Sequence, residues 1–151
     1  MDDYYFSQLV SKERFTVNFD APESLDLEML RAHLDRLRRG DGIEKPTYDF
    51  RTHRRTGFEF FDAAGTVVLD GIFGLHQSLR DHVDFGVFVA CSDDERRRRR
   101  ILRDSSERGR STASIVHQYD KTVRPMHDLH VEGTRLVADV VFGNDGPWKE
   151  D

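Results

Sequence analysis

Two short runs with no polar side chain, Val67–Leu69 in TVVLDG and Phe85–Ala90 in FGVFVA, constrain this chain more than any other feature. A strand wet on one side alternates apolar and polar residues, so a strand apolar throughout is read as covered on both faces. Two such runs with a helical segment between them, here Leu75–Val83, predict an α/β fold: a parallel sheet with flanking helices. The sequence has 151 residues, 37% of them hydrophobic, which suits one domain over 1–151 rather than two independent cores.

Helical signals fill the rest. Leu27, Leu30, Leu34 and Leu37 fall three and four apart, which predicts an amphipathic helix from Leu25 to about Arg38 with Gly40 ending it. Ser92 and Glu95 have capping-box spacing and open an arginine-rich helix that breaks near Gly109. A second helix starts around Thr112 and runs past Gln118 and Tyr119 to the region of Pro125, and Leu136–Phe142 reads as the last strand before a polar tail. Between Thr47 and Phe61 the pattern is that of a β-ribbon with an elaborated middle.

Composition excludes several functions. With 28 acidic and 23 basic residues the net charge is -5, which argues against a nucleic-acid-coating protein. One cysteine, Cys91, rules out an internal disulfide and suits a reducing, cytoplasmic compartment. The seven histidines form no HExxH pair, and no apolar run is long enough for a membrane span.

Three places carry candidate chemistry. Asp70 ends an apolar strand and precedes Gly71, where open α/β sheets put ligands; a carboxylate there serves magnesium or merely starts a turn, and the motif alone favours neither. The run Arg96–Arg110 sets Arg100 and Arg103 on one helix face and Arg108 and Arg110 on either side of a glycine. Such a group can bind polyphosphate, although taken alone a solvated face paired with Asp93, Asp94, Asp104 and Glu107 is the better reading. The third place, PTYDFRTHRRTG from Pro46 to Gly57, is too aromatic for a solvated loop and too charged for a core strand.

DDYY, NFDAPESLD, PTYDFRTHRRTG, VVLDGIFGLH, RRILRDSSERGRS, QYDKTVRPMH and ADVVF follow one another along almost the whole chain. In this order and spacing they resemble the uridine kinase (uridine/cytidine kinase) family of P-loop kinases. The resemblance implies transfer of the ATP γ-phosphate to the 5'-hydroxyl of uridine or cytidine, in pyrimidine salvage, with Mg2+. It implies that Asp2 is the base facing the ribose 5'-hydroxyl, with Tyr5 near the nucleoside, and that Asp20, after Phe19, binds ribose hydroxyls. Tyr48, Phe50 and His53 would line the pyrimidine pocket, Arg110 and Gln118 would complete recognition of the base, and Arg100 would reach the ribose. Arg103 and Arg108 would belong to a lid over the ATP phosphates, and Asp70 would serve the magnesium ion. Family members are commonly oligomeric, though periodicity identifies no self-complementary apolar face.

The sequence also departs from the family pattern. It begins at the D-x-aromatic-Tyr motif, contains no GxxxxGK[ST] phosphate loop, lacks the helix after ADVVF and has Gly133 where proline is usual. The expectation is a single uridine kinase-like domain truncated at both ends, its sheet lacking the strand between TVVLDG and FGVFVA. Three readings stay open: a kinase, a catalytically silent pyrimidine-nucleoside-binding protein, or a subunit completed by a partner chain.

Overall fold

The computed structural model describes residues 1–7, 18–63 and 65–146. The alternating run FTVNF therefore lies outside the described residues apart from Asn18 and Phe19, as does the polar tail past Gly146. The chain divides into two compact units, Met1–Asp84 and Phe85–Asp151. Among the described residues no helix is long and apolar enough to cross a membrane.

In the first unit helix α1 spans Leu27–Arg38, two residues shorter at its start than the apolar period suggests. Asp26 caps it by accepting the Met29 N–H at 3.0 Å, and so holds the chain out of the helix at Leu25. Leu30 and Leu37 of the predicted stripe are buried, and Gly40, at φ 85°, ends the helix in the left-handed conformation. Strands β1 (Ile43–Asp49) and β2 (Arg54–Phe61) form the expected antiparallel ribbon. Its register shifts between Thr47 and Tyr48, a bulge that re-aims the residues leading into the turn. Tyr4, Leu25, Ile43, Phe73 and Leu79 are further buried hydrophobic side chains of this unit.

Two expectations fail in this unit. Val67–Leu69 joins no ladder, and Val68 is 84% exposed. An apolar run becomes a strand only where another strand accepts its hydrogen bonds, and none of the described residues does so here. Leu75–Val83 forms turns and a short 3-10 turn, Arg80–His82, instead of an α-helix. His76 Nδ1 takes the Ser78 N–H at 3.3 Å and contacts its hydroxyl at 2.8 Å, a local arrangement that competes with helical pairing.

The second unit holds the parallel pair β3 (Val87–Ala90) and β4 (Val140–Gly143), with the helices between them in sequence as an α/β fold requires. Only alternate β3 residues are covered: Phe88 is buried, while Val87 and Val89 are exposed. Strand β4 starts later than the apolar run, because Glu132–Val137 winds into a 3-10 turn and Asp139 fixes the register. Its carboxylate accepts the Gly86 N–H at 2.7 Å, and its own N–H donates to the Gly86 carbonyl at 2.9 Å.

Helix α2 runs Asp93–Ser106 and begins at Ser92 as predicted, but the reciprocal capping box is not made. Asp145 accepts the Ser92 N–H at 2.7 Å, while Glu95 turns to Arg98 and Arg99. Helix α3 (Thr112–Gln118) passes through a π-helical turn, Tyr119–Val123, into α4 (Arg124–His130). The predicted stop at Pro125 is thus a continuation. Proline lacks the N–H that an unbroken α-helix would use, and the wider turn just before it absorbs the mismatch. The buried Tyr119 donates its hydroxyl to Asp93 Oδ1 at 2.8 Å, and Arg124 meets Asp93 Oδ2 at 2.7 Å, tying this bent helix to the start of α2.

Candidate nucleoside and phosphate site

The first unit gathers five aromatic side chains that stand far apart in sequence. Tyr5 lies at the end of the 3-10 turn Asp2–Tyr4 and pairs in a single antiparallel bridge with Leu25. Its ring meets Phe19 edge-on at 5.6 Å, Tyr48 at 5.6 Å and Phe50 at 6.2 Å, and its hydroxyl donates to the Phe19 carbonyl at 3.2 Å. Tyr48 and Phe50 meet at 5.1 Å, and Phe19 stacks on His53 at 5.0 Å with 29° between the planes. Offset and edge-on contacts of this kind leave ring faces and edges for a further flat group.

The ribbon's turn explains the placement. Asp49 accepts the Arg51 N–H at 2.9 Å and the Thr52 hydroxyl at 3.1 Å, an Asx-type turn. The Arg51 N–H is also the main reason the Asp49 carboxyl lies below its usual range, since it stabilises the charged form. His53 then takes a left-handed φ of 54°, a conformation histidine adopts more readily than most residues, and this turns its ring toward Phe19. The Tyr48 hydroxyl is buried without a hydrogen-bond partner among the described residues. Burial raises its pKa, an effect that Arg55 partly offsets. An unpaired buried hydroxyl costs free energy unless a ligand supplies the missing bond.

The backbone brings the residue before Asp2 to Asp70. Met1, which precedes Asp2, donates its amine to the Asp70 carbonyl at 2.8 Å. Gly71, at φ 153°, lies under the Met1 side chain, which a Cβ would approach to 2.7 Å. Asp2 and Asp70 are both exposed. Asp20 follows Phe19 and donates its N–H to Asn18 Oδ1 at 3.1 Å. Among the described residues no three His, Cys, Asp or Glu side chains form a metal-holding group. A magnesium ion at Asp70 would accordingly have one protein carboxylate, with water and phosphate oxygens left to complete its octahedron.

Two residues without a role in the sequence reading hold this arrangement. Arg55 donates to the Tyr4 carbonyl at 2.9 Å and the Tyr5 carbonyl at 3.0 Å, and also grips Asp26. The only sequence signal for Arg55 is its position as the last residue of YDFRTHRR.

In the second unit Arg110 Nη1 donates to Gln118 Oε1 at 2.6 Å, pairing the two side chains expected to read the base. Arg100, Arg103, Arg108 and Arg110 all approach the carboxylate of Asp104, at 3.7, 3.1, 3.5 and 3.4 Å. The solvated, loosely paired face expected of these arginines is thus an assembly around one carboxylate.

The profile of the Phosphoribulokinase / Uridine kinase family matches residues 1–146. The uridine kinase of Staphylococcus haemolyticus (strain JCSC1435) is 38% identical over 152 residues, covering 97% of this chain and 73% of that protein. That of Staphylococcus aureus (strain Newman) has the same identity and coverage. Among solved structures, a candidate fructose transport system kinase from Silicibacter sp. TM1040 superposes with a TM-score of 0.68 at 15% identity, over 94% of this chain and 72% of that one. A possible uridine kinase from Bacillus stearothermophilus gives a TM-score of 0.60 at 18% identity, over 94% and 68%. These two structures share the fold of this chain. With a profile match over nearly its whole length and relatives at 38% identity, the chain belongs to the phosphoribulokinase/uridine kinase family.

Proposed function

We propose that this chain is a uridine kinase-like phosphotransferase that moves the γ-phosphate of ATP to the 5'-hydroxyl of uridine or cytidine in the cytoplasm. The observation that carries the reading is the cluster of Tyr5, Phe19, Tyr48, Phe50 and His53 around a buried, unpaired Tyr48 hydroxyl. A pyrimidine offers such a cluster a flat face to stack on and a polar edge for the Tyr48 hydroxyl. A sugar phosphate offers no such face.

In this reading Asp2 takes the proton from the 5'-hydroxyl as the phosphoryl group arrives, and Asp20 accepts ribose hydroxyls. Arg110 and Gln118 present a donor and an acceptor suited to a uracil or cytosine edge, and Arg100 is assigned to the ribose. Arg103 and Arg108 hold the ATP phosphates by charge-assisted hydrogen bonds. Asp70 would hold magnesium, which would supply positive charge to offset that of the phosphates.

A second reading, a pyrimidine-nucleoside binder without phosphotransfer, draws on the same aromatic cluster, which lies within residues 1–84. The test is formation of the nucleoside 5'-monophosphate from uridine, ATP and magnesium, with Asp2→Asn alongside. Turnover abolished by the substitution is expected. Uridine binding with no turnover in either protein would leave the binder reading, and no uridine binding would overturn both.

A further inference from the structure

Asp104 has no exposed surface, yet it sits in a helix that carries six arginines, Arg96 to Arg100 and Arg103. Arg103 Nε donates to its Oδ1 at 3.1 Å and Arg110 Nη1 to its Oδ2 at 3.4 Å, while Arg108 and Arg100 stand at 3.5 and 3.7 Å. Four guanidiniums thus converge on one carboxylate. Each guanidinium carries five N–H donors, far more than a carboxylate can accept, and Arg103 and Arg108 are about half exposed.

The backbone is arranged to bring these residues together. Helix α2 ends at Ser106, and Gly109, at φ 60°, turns the chain back so that the Arg110 N–H donates to the Asp104 carbonyl at 3.2 Å. Main chain and side chain of Asp104 thus hold the loop bearing Arg108 and Arg110 against the helix turn bearing Arg100 and Arg103.

We propose that Asp104 is a positioning residue that holds these four guanidiniums together before any ligand arrives and so presents the half-exposed Arg103 and Arg108 to a polyphosphate. The identity of the anion rests on the kinase reading above; the assembly does not. Two effects of losing the carboxylate oppose each other. By charge alone, removing it makes the cluster more positive and strengthens its pull on an anion. By ordering, removing it frees side chains that must then be immobilised on binding. The positioning role requires the ordering effect to be the larger, and the titration below reads which one wins.

The experiment is calorimetric titration of inorganic tripolyphosphate into the full chain and into Asp104→Asn, with the thermal midpoint of each measured alongside. Roughly tenfold weaker binding is expected for Asp104→Asn, the scale of one lost charge-assisted contact. Equal or tighter binding overturns the proposal, as does a wild type with no affinity. Because losing a buried carboxylate can unfold a protein, the wild type supplies an independent test: NMR relaxation of its arginine Nε–H groups without ligand. Arg103 and Arg108 are expected to be as rigid as the helix backbone, and mobility like that of the exposed Arg51 overturns the proposal. Uridine phosphorylation on the same samples separates the two claims. Turnover with tripolyphosphate affinity indifferent to Asp104 sinks the positioning role alone; affinity that depends on Asp104 without turnover sinks the kinase reading alone.

Discussion

Arg55 clamps Asp26: its two terminal nitrogens both donate to Asp26 Oδ2 at 3.2 Å, with both side chains less than a fifth exposed. The same guanidinium holds the carbonyls of Tyr4 and Tyr5, so one residue of β2 links the cap of α1 to the turn that carries Asp2 and Tyr5. Arg55→Ala should cost about 2–3 kcal/mol, somewhat below the penalty for breaking a fully buried pair. Arg55→Lys should restore only part of it, because lysine cannot fork. Urea unfolding checks both.

Gly71 tests the contact between Met1 and the Asp70–Gly71 segment. Its φ of 153° is one L side chains rarely adopt, and an added Cβ would lie 2.7 Å from the Met1 side chain. Gly71→Ala should destabilise by about 1–3 kcal/mol, the usual range for a strained backbone position. It should also slow phosphate transfer by more than the loss of folded protein accounts for, because the displaced residue adjoins Asp2. Steady-state rates on the folded fraction, set against the unfolding midpoint, decide this.

Glu95 gives a pH dependence of known sign. Its bonds to Arg98 and then Arg99 lower its pKa from 4.5 to about 2. A depressed folded pKa means that the stabilisation is present above the ordinary value of 4.5 and is lost as pH falls toward 2. Asp145, lowered chiefly by the Ser92 N–H, loses its contribution from the same side. The urea midpoint should therefore fall with pH across this window, and Glu95→Gln should flatten the fall without abolishing it. An unchanged profile in Glu95→Gln would show that the Arg98 and Arg99 contacts carry no stability.

What could be read from sequence divides along physical lines. Helix α1 and the β1–β2 ribbon were legible because periods of three to four residues and of two are properties of a local segment. The aromatic cluster was legible only because Tyr48, Phe50 and His53 share one motif whose family match supplied Tyr5 and Phe19. The partners of charged residues were legible only where they are local: the helical spacing that pairs Asp104 with Arg100 and Arg108 can be read from sequence, whereas Arg55 with Asp26 and Asp145 with the Ser92 N–H depend on chain returns that no local period encodes. Val67–Leu69 and the start of β4 failed for a related reason. Apolar composition favours a strand, whereas hydrogen bonding to a neighbour decides whether and where it forms.

The Tyr48 hydroxyl separates a binding site from an ordinary core most directly. Buried and unpaired, it is a burden on the folded protein, so Tyr48→Phe should leave stability unchanged or raise it slightly. If a pyrimidine supplies its missing partner, the same substitution should weaken uridine binding by roughly tenfold, the scale of one lost hydrogen bond in a closed site. Calorimetric titration of uridine into wild type and Tyr48→Phe, with urea unfolding of both, is the decisive measurement. Weaker binding by an equally or more stable variant is the predicted result. Equal uridine affinity in the two proteins, or none in the wild type, would contradict the assignment of these five rings to a pyrimidine nucleoside.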